Sequence, residues 1–305
     1  MIGVATLQGA TGDEALRDFM LAFGEKFAWK MCLALGGGAW NPDNQLVAAS
    51  YAELYLNSAA KNASWVAPTI GHLDASIQAR AATTRQWTWV DALYMGTAVH
   101  ARIGAITGQS EYFDQAWAAF NLSAFTPHPA GYAFWSPAEQ LFYRDPPKAT
   151  PNGVFWARGN GWVAAALADV LRLSPPGHAA VPVYTAAFKA FMARLAGLQG
   201  ADGCWRTSLT DPDFFPVPET TGTSMFAYAM SYGITSGHLD AATFLPVVEK
   251  AWGCLKAVSL HQDGRLGNCQ PGGAGPQRNF GPDSINSFCV GQFALAAAGV
   301  AQLAA

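Results

Sequence analysis

One carboxylate within an apolar segment is the first feature of this sequence that could carry chemistry. Asp91 lies between Trp87-Thr88-Trp89-Val90 and Ala92-Leu93-Tyr94-Met95. Burying a carboxylate is costly unless hydrogen bonds satisfy it, and the loss of water raises its pKa. A general acid that works near neutral pH needs such a raised pKa. Asp91 is therefore a candidate general acid; the alternative is a structural Asp that caps a helix or hydrogen-bonds to the backbone.

A second carboxylate, Asp43, lies in Asn41-Pro42-Asp43-Asn44-Gln45, just before an apolar helical pattern. Its position alone favours the role of a helix N-cap. A role in catalysis requires Asp43 to face Asp91 across a cavity. Both residues precede predicted inner helices of a ring, and such helix starts point to the same mouth. A carboxylate pair at that mouth is therefore geometrically plausible.

Two Trp and one Arg flank a further helix start, in Trp156-Ala157-Arg158-Gly159-Asn160-Gly161-Trp162. Trp faces stack on sugar rings, and Arg holds a carboxylate through two parallel hydrogen bonds. The alternative is a Gly-rich loop with Trp side chains in the core. The spacing also matches a dinucleotide-binding pattern superficially, but no strand precedes it, so we reject that fold.

The segment Pro218-Glu219-Thr220-Thr221-Gly222-Thr223-Ser224 is polar and precedes another helix. It is either only a helix cap or, because helix N-termini bind anions, a place where Thr220 helps to hold a sugar acid. The six His are scattered without an HxH or HExxH pattern, so no metal site is expected.

Composition narrows the class of protein. The 305 residues are 51% hydrophobic and only 13% charged, with a net charge of −3. No cluster of Lys and Arg longer than a dipeptide occurs, which argues against a nucleic-acid partner. We found no apolar run of about 18 residues, so no membrane span is expected. The start of the chain lacks a basic segment typical of a signal peptide, and we expect a cytoplasmic protein.

The five Cys are odd in number and irregularly spaced, without a CxxC pattern. This pattern argues against a zinc site or a disulfide framework. The sequence therefore predicts buried free thiols in a reducing compartment.

Most of the chain that must position these residues shows the periodicity of α-helices. Short strand-like runs occur only at Phe134-Trp135 and Leu141-Phe142-Tyr143, which predict a small hairpin. The predicted helices cover residues 13–35, 44–58, 87–106, 110–121, 159–173, 181–199, 222–234, 240–257 and 286–303.

A weak repeat of about 60 residues joins two helices by a short Gly turn and then adds a longer loop. Such a period suggests helix hairpins arranged in a ring. Inner helices should be apolar all round, as residues 87–99 are, and outer helices should be amphipathic, as residues 13–29 and 181–199 are. No linker divides the chain, so we predict one domain over residues 1–305.

Five spaced motifs resemble glycoside hydrolase family 105, the unsaturated rhamnogalacturonyl hydrolases, which are close to the unsaturated glucuronyl hydrolases of family 88. The resemblance runs from about residue 4 to residue 300. In order, the motifs are Trp87-x-Trp89-x-Asp91-Ala92-Leu93-Tyr94-Met95, Leu141-Phe142-Tyr143-Arg144-Asp145, Trp156-x-Arg158-Gly159-Asn160-Gly161-Trp162-Val163, Pro218-Glu219-Thr220-x-Gly222-Thr223 and Asp263-Gly264-Arg265-Leu266-Gly267.

The resemblance implies an all-α (α/α)6 barrel with a substrate cleft at one mouth. It implies a substrate that carries a terminal 4,5-unsaturated uronic acid left by a polysaccharide lyase. Instead of the usual route through an oxocarbenium ion, a carboxylic acid protonates C4, water adds at C5, and the resulting hemiketal opens and expels the aglycone sugar. No metal or organic cofactor is implied.

The same resemblance assigns roles to residues. Asp91 matches the acid/base, and Asp43 matches the second Asp, which orients the water or its partner. Positions that contact substrate are matched by Trp156, Arg158 and Trp162.

Three features depart from the family pattern. Arg144 stands where a common family His occurs, so it becomes a candidate substrate contact of a subgroup. Asn44 stands where a further Asp is frequent, and we count it with the substrate-binding residues. Family members usually begin one helix earlier, so we expect the first of twelve helices to be missing from this chain.

Three functions remain open. The first is a hydrolase that acts on lyase-generated rhamnogalacturonan (pectin) oligosaccharides, with a glucuronyl hydrolase on ulvan or arabinogalactan products as the variant. The second is a truncated barrel that binds oligosaccharides without turnover. The third, a sugar 2-epimerase, normally uses His acid/base pairs, and no His lies in these motifs.

Overall fold

The computed structural model describes residues 1–35, 41–79, 87–127, 133–145, 154–273 and 275–305. Six helices in these residues form a closed inner ring in which each helix packs against the preceding and following member. The inner helices are α1 (Ile2–Thr11), α3 (Pro42–Asn57), α5 (Ala92–Thr107), α7 (Ala157–Leu173), α9 (Thr220–Thr235) and α11 (Ser287–Ala304).

Five further helices alternate with these along the chain and form an outer layer. They are α2 (Glu14–Lys26), α4 (Ala67–Ala79), α6 (Ser110–Ala124), α8 (Val181–Ala196) and α10 (Ala241–Cys254). A short 3-10 helix at Ala63–Trp65 precedes α4, and a short π-helix at Leu255–Ser259 follows α10. The all-α barrel of helix hairpins is confirmed.

The ring closes where α1 meets α11. Gly3 lies so close to this neighbour that a Cβ there would overlap the carbonyl oxygen of Gly291. Only a glycine allows the two backbones to approach this closely.

Turns between outer and inner helices follow the predicted pattern. Gly12 and Gly108 end α1 and α5 with φ of 69° and 73°. Glycine adopts this left-handed conformation without the steric cost that a Cβ imposes, which is why it ends a helix so often.

The predicted hairpin is also confirmed, as a two-stranded antiparallel pair. Strand β1 (Trp135–Ser136) pairs with β2 (Leu141–Phe142), with Trp135 opposite Phe142 and Ser136 opposite Leu141. The amide of Asn160 in α7 holds β2, because its oxygen accepts from Phe142 N at 2.8 Å and its nitrogen donates to Phe142 O at 2.9 Å.

Several boundaries differ from the predictions. The helix predicted over residues 13–35 ends at Lys26, and the one predicted over 87–106 begins at Ala92. Helices α1 and α4 were not predicted. Since α1 is short and packs against α3 and α11, it lacks the polar face that helical periodicity relies on.

Helix α11 is long and apolar enough, by length and composition, to cross a membrane, with a mean hydropathy of 1.5 over 18 residues. The sequence predicted this segment as a helix at residues 286–303 and predicted no membrane span. In the structure the helix packs between α9 and α1, and 39% of it is buried.

The prediction of free thiols is wrong for four of the five cysteines. Cys204 is bonded to Cys254, and Cys269 is bonded to Cys289, with Cα–Cα distances of 5.7 and 5.9 Å. Cys32 is free and exposed. The pairs lie 50 and 20 residues apart, so only the folded chain brings them together.

A buried ionic network lies toward the carboxyl ends of the inner helices. Arg102 in α5 is fully buried and donates to Glu53 of α3 at 2.6 Å and to Asp169 of α7 at 2.7 Å. Arg172 also donates to Glu53, at 2.7 Å, and the hydroxyl of Tyr228 in α9 donates to Asp169 at 2.6 Å. Four inner helices are thus joined at the end of the barrel away from the predicted site.

Candidate functional site

A cleft of about 270 Å³ opens at the amino ends of the inner helices. Starts of α3, α5, α7 and α11 meet there with two loops, residues 143–145 and 268–273. The lining residues are Asp43, Trp89, Asp91, Met95, Arg144, Arg158, Trp162, Gly273 and Phe288.

Asp91 occupies the N-cap position of α5, but its side chain makes no capping hydrogen bond. The residue is 7% exposed, and its Oδ1 is buried without a hydrogen-bond partner in the described part of the chain. Burial raises the pKa of Asp91 to about 6, although the nearby guanidinium groups of Arg144 and Arg158 act in the opposite direction. The carboxyl is therefore a proton donor below about pH 6, and it is not satisfied as a structural Asp would be.

Asp43 is the second residue of α3 and is not its cap. The side chain of Asn41 caps this helix and accepts from Asp43 N at 2.9 Å. The carboxyl of Asp43 lines the same cleft as Asp91, as a shared catalytic role requires. Partial burial raises the pKa of Asp43, and Arg144 opposes this effect.

Arg144 interacts electrostatically with both carboxylates of the cleft, because its positive charge lowers the pKa of Asp43 and of Asp91. Its Nη1 contacts both carboxylate oxygens of Asp145, at 2.7 and 2.9 Å. The carbonyl of Arg144 accepts from Val90 N at 3.0 Å, which fixes this loop beside Asp91. The cleft therefore holds charges of both signs around one protonatable acid.

Arg158, in the first turn of α7, is 3% exposed, and its guanidinium faces the cleft. Nη1 donates to Gln270 O at 2.8 Å and Nη2 donates to Pro271 O at 2.7 Å. Its guanidinium carbon lies 4.7 Å from the ring centroid of Trp156. Burial lowers the pKa of Arg158, yet the group stays cationic because its ordinary value is so high.

Aromatic side chains form the walls. Trp162 stacks on Tyr94 with centroids 5.1 Å apart and planes at 25°. Trp89 and Phe288 add further apolar surface at the cleft. Flat apolar faces next to charged groups suit a sugar ring that carries a carboxylate.

Three predicted site residues do not line the cleft. Trp156 is 1% exposed and donates from Nε1 to Gln270 Oε1 at 3.0 Å. Asn44 is fully buried and pairs with both backbone groups of Leu35, at 3.2 and 3.0 Å. The buried hydroxyl of Thr220 donates to Gly267 O at 2.8 Å. These three side chains lie behind the residues that line the cleft, and their predicted substrate contacts stay predictions.

Four lining residues were not predicted as site residues from the sequence, namely Trp89, Met95, Gly273 and Phe288. Trp89 belongs to the motif around Asp91, and Met95 lies one turn further along α5, so their spacing could have revealed them. Gly273 and Phe288 lie in a loop and at a helix start without any distinguishing local pattern.

Residues 2–303 match glycosyl hydrolase family 88. An unsaturated 3S-rhamnoglycuronyl hydrolase from Formosa agariphila is 32% identical over 281 residues, which span 84% of this chain and 72% of the relative. An unsaturated rhamnogalacturonyl hydrolase from Bacillus subtilis, YesR, is 26% identical over 233 residues, which span 73% of this chain and 62% of the relative.

Solved structures share the fold. A glycosyl hydrolase family 88 protein from Bacteroides vulgatus superposes with a TM-score of 0.87 at 27% identity, over 99% of this chain and 89% of that chain. A possible member of family 105 from Klebsiella pneumoniae superposes with a TM-score of 0.78 at 19% identity, over 98% and 80% of the two chains.

Proposed function

The chain belongs to glycosyl hydrolase family 88, and we propose that it releases a 4,5-unsaturated uronic acid from the non-reducing end of lyase-generated oligosaccharides. One observation carries this proposal. A buried carboxyl with a raised pKa, Asp91, has one oxygen without a hydrogen-bond partner among the described residues, and it faces a cleft that also holds a second carboxylate and a buried guanidinium.

In the proposed reaction, protonated Asp91 transfers its proton to C4 of the sugar, and the electron pair of the C4=C5 bond forms the new C–H bond. Water adds at C5 and releases a proton to a carboxylate, and Asp43 orients this water. The hemiketal then opens and the aglycone leaves as an alcohol. Arg158 binds the uronate carboxylate, because three of its five N–H groups have no acceptor in the described residues.

For the aglycone, we propose rhamnogalacturonan products as one substrate class, in line with the sequence motifs and with the resemblance to YesR. Ulvan-type glucuronyl products are the second class, favoured by the resemblance to the relative from Formosa agariphila, which is described as acting on 3S-rhamnoglycuronyl substrates.

The test measures loss of the ultraviolet absorbance of the unsaturated uronate when the protein is incubated with each class of disaccharide. Asp91→Asn should be slower by about 10²–10⁴-fold, the usual contribution of an acid/base residue. Asp13→Asn is the matched control. Asp13 caps α2 outside the cleft, and Asn caps a helix equally well.

Two results would contradict the proposal. If the wild-type protein leaves rhamnogalacturonan, ulvan and arabinogalactan products all unchanged, it is not a hydrolase of this class. Binding of the same products in calorimetry, without turnover, would instead support a non-catalytic oligosaccharide-binding barrel.

A further inference from the structure

Main-chain carbonyls of one loop hold the guanidinium that faces the cleft. Gln270 O and Pro271 O accept from the two terminal nitrogens of Arg158, at 2.8 and 2.7 Å. Since these two bonds fix both ends of the planar fork, the position of the loop determines where the remaining N–H groups of Arg158 point.

The side chain of Gln270 fixes this loop in turn. Its Oε1 accepts from Trp156 Nε1 at 3.0 Å, and its Nε2 donates to Gly275 O at 3.1 Å. Gln270 is fully buried. The amide thus joins the loop to the residue before α7, on which the guanidinium of Arg158 is stacked.

A disulfide connects the same loop to the start of α11, which also lines the cleft. Cys269 directly precedes Gln270, and its partner Cys289 directly follows Phe288. The ring of Phe288 lines the cleft and lies 5.8 Å from the guanidinium carbon of Arg158. The disulfide therefore links the residue before Gln270 to the residue after Phe288, and both Gln270 and Phe288 contact the guanidinium of Arg158.

We propose that Gln270 and the Cys269–Cys289 disulfide are positioning elements, which hold Arg158 and Phe288 in the arrangement that binds the uronate carboxylate. This inference rests on the proposed function, since it assigns that carboxylate to Arg158. Neither element contacts substrate, and both act through the loop that holds the guanidinium.

The double variant Cys269→Ala/Cys289→Ala removes the link. We expect KM for an unsaturated uronate disaccharide to rise about tenfold, the effect of loosening one charge-assisted hydrogen bond. The value of kcat should change much less, because Asp91 is left in place. KM for the methyl ester of the same disaccharide, which lacks the carboxylate charge, should stay within about twofold.

The matched control is Cys204→Ala/Cys254→Ala, which removes the other disulfide, away from the cleft. Its closed segment is 50 residues long, compared with 20. Chain entropy therefore predicts at least as large a loss of stability for the control. We expect the control to keep the KM of the wild-type protein at a temperature where both variants are folded.

A second variant and a double-mutant cycle distinguish a loss of positioning from a general loss of stability. Gln270→Leu removes both side-chain hydrogen bonds but keeps the main-chain carbonyl, and it should raise KM in the same selective way. In an Arg158→Ala background, loss of the Cys269–Cys289 bond should raise KM no further, because the two changes act through one group.

Hydrogen exchange of the amides in residues 268–273 adds a measurement that needs no substrate. The Cys269→Ala/Cys289→Ala variant should show faster exchange there, and the control should not. The proposal is overturned if exchange in this loop is unchanged, or if KM for the acid and the ester rise equally. If the wild-type protein turns over none of the substrates, the proposed function is contradicted, whereas the exchange measurement still tests the positioning of the loop.

Discussion

Replacing Asp91 by Asn should make the protein more stable at neutral pH while it loses activity. The pKa of Asp91 is raised from an ordinary value of 3.8 to about 6. Because the folded chain binds this proton more tightly, the free energy of unfolding decreases as the pH rises from about 4 to about 6, and the full cost is present above that range. About two pH units at roughly 1.4 kcal/mol each correspond to about 3 kcal/mol.

Asn has a similar shape and cannot ionise, so it avoids this cost. The gain of about 3 kcal/mol, with an unfolding entropy of about 2.1 cal/mol/K per residue over 305 residues, corresponds to a Tm higher by about 5 °C at pH 8. At about pH 4 the two proteins should unfold at nearly the same temperature, because Asp91 is then protonated in the folded chain and about half protonated in the unfolded chain, so most of the ionisation cost is absent.

Calorimetric melting at pH 4, 5.5 and 8 checks this expectation, with Asp13→Asn as the control that keeps a helix cap. A stability difference that is the same at all three pH values would refute the reasoning. A variant that is less stable than the wild type at pH 8 would show that the ionised carboxylate of Asp91 is well solvated or paired.

Three other outcomes are expected. If protonated Asp91 donates the proton, kcat/KM should fall about tenfold per pH unit above about pH 6, and a flat profile up to pH 8 would argue against this donor. Alkylation of the denatured, unreduced protein followed by mass spectrometry should label one thiol, Cys32; five labelled thiols would instead support the reducing, cytoplasmic location predicted from the sequence. Arg102→Leu should lower the free energy of unfolding by about 3–5 kcal/mol in chemical denaturation, because it leaves Glu53 and Asp169 without this partner, whereas a loss below about 1 kcal/mol would show that Arg172 compensates.

Inner and outer helices were predicted about equally well. Inner helix α11, predicted at residues 286–303, is observed at Ser287–Ala304, and outer helix α8, predicted at residues 181–199, is observed at Val181–Ala196. Helix α1 was missed because it is short and contains two glycines, which have a low helix propensity.

At the site, the spacing of the motifs predicted residues that face the cleft together with residues that are buried behind it. It did not distinguish the two kinds of residue. Arg158 and Trp156 belong to one motif, yet Arg158 faces the cleft and Trp156 is buried behind it. Polar buried residues such as Asn44 are held by backbone groups distant in sequence, which no local pattern reveals. The disulfides were missed for the same reason, because their spacing carries no information about proximity.

The ionic network at the carboxyl ends of the inner helices has a consequence for how this protein can diverge. Loss of Arg102 alone weakens the pairing of two buried carboxylates, whereas replacing the whole set by apolar side chains can be neutral. This network is therefore expected to change by concerted substitution. Among the described residues, cleft side chains outside any ion pair, such as Trp89 and Met95, can change one at a time, so new sugar preferences should arise there while the network stays the same.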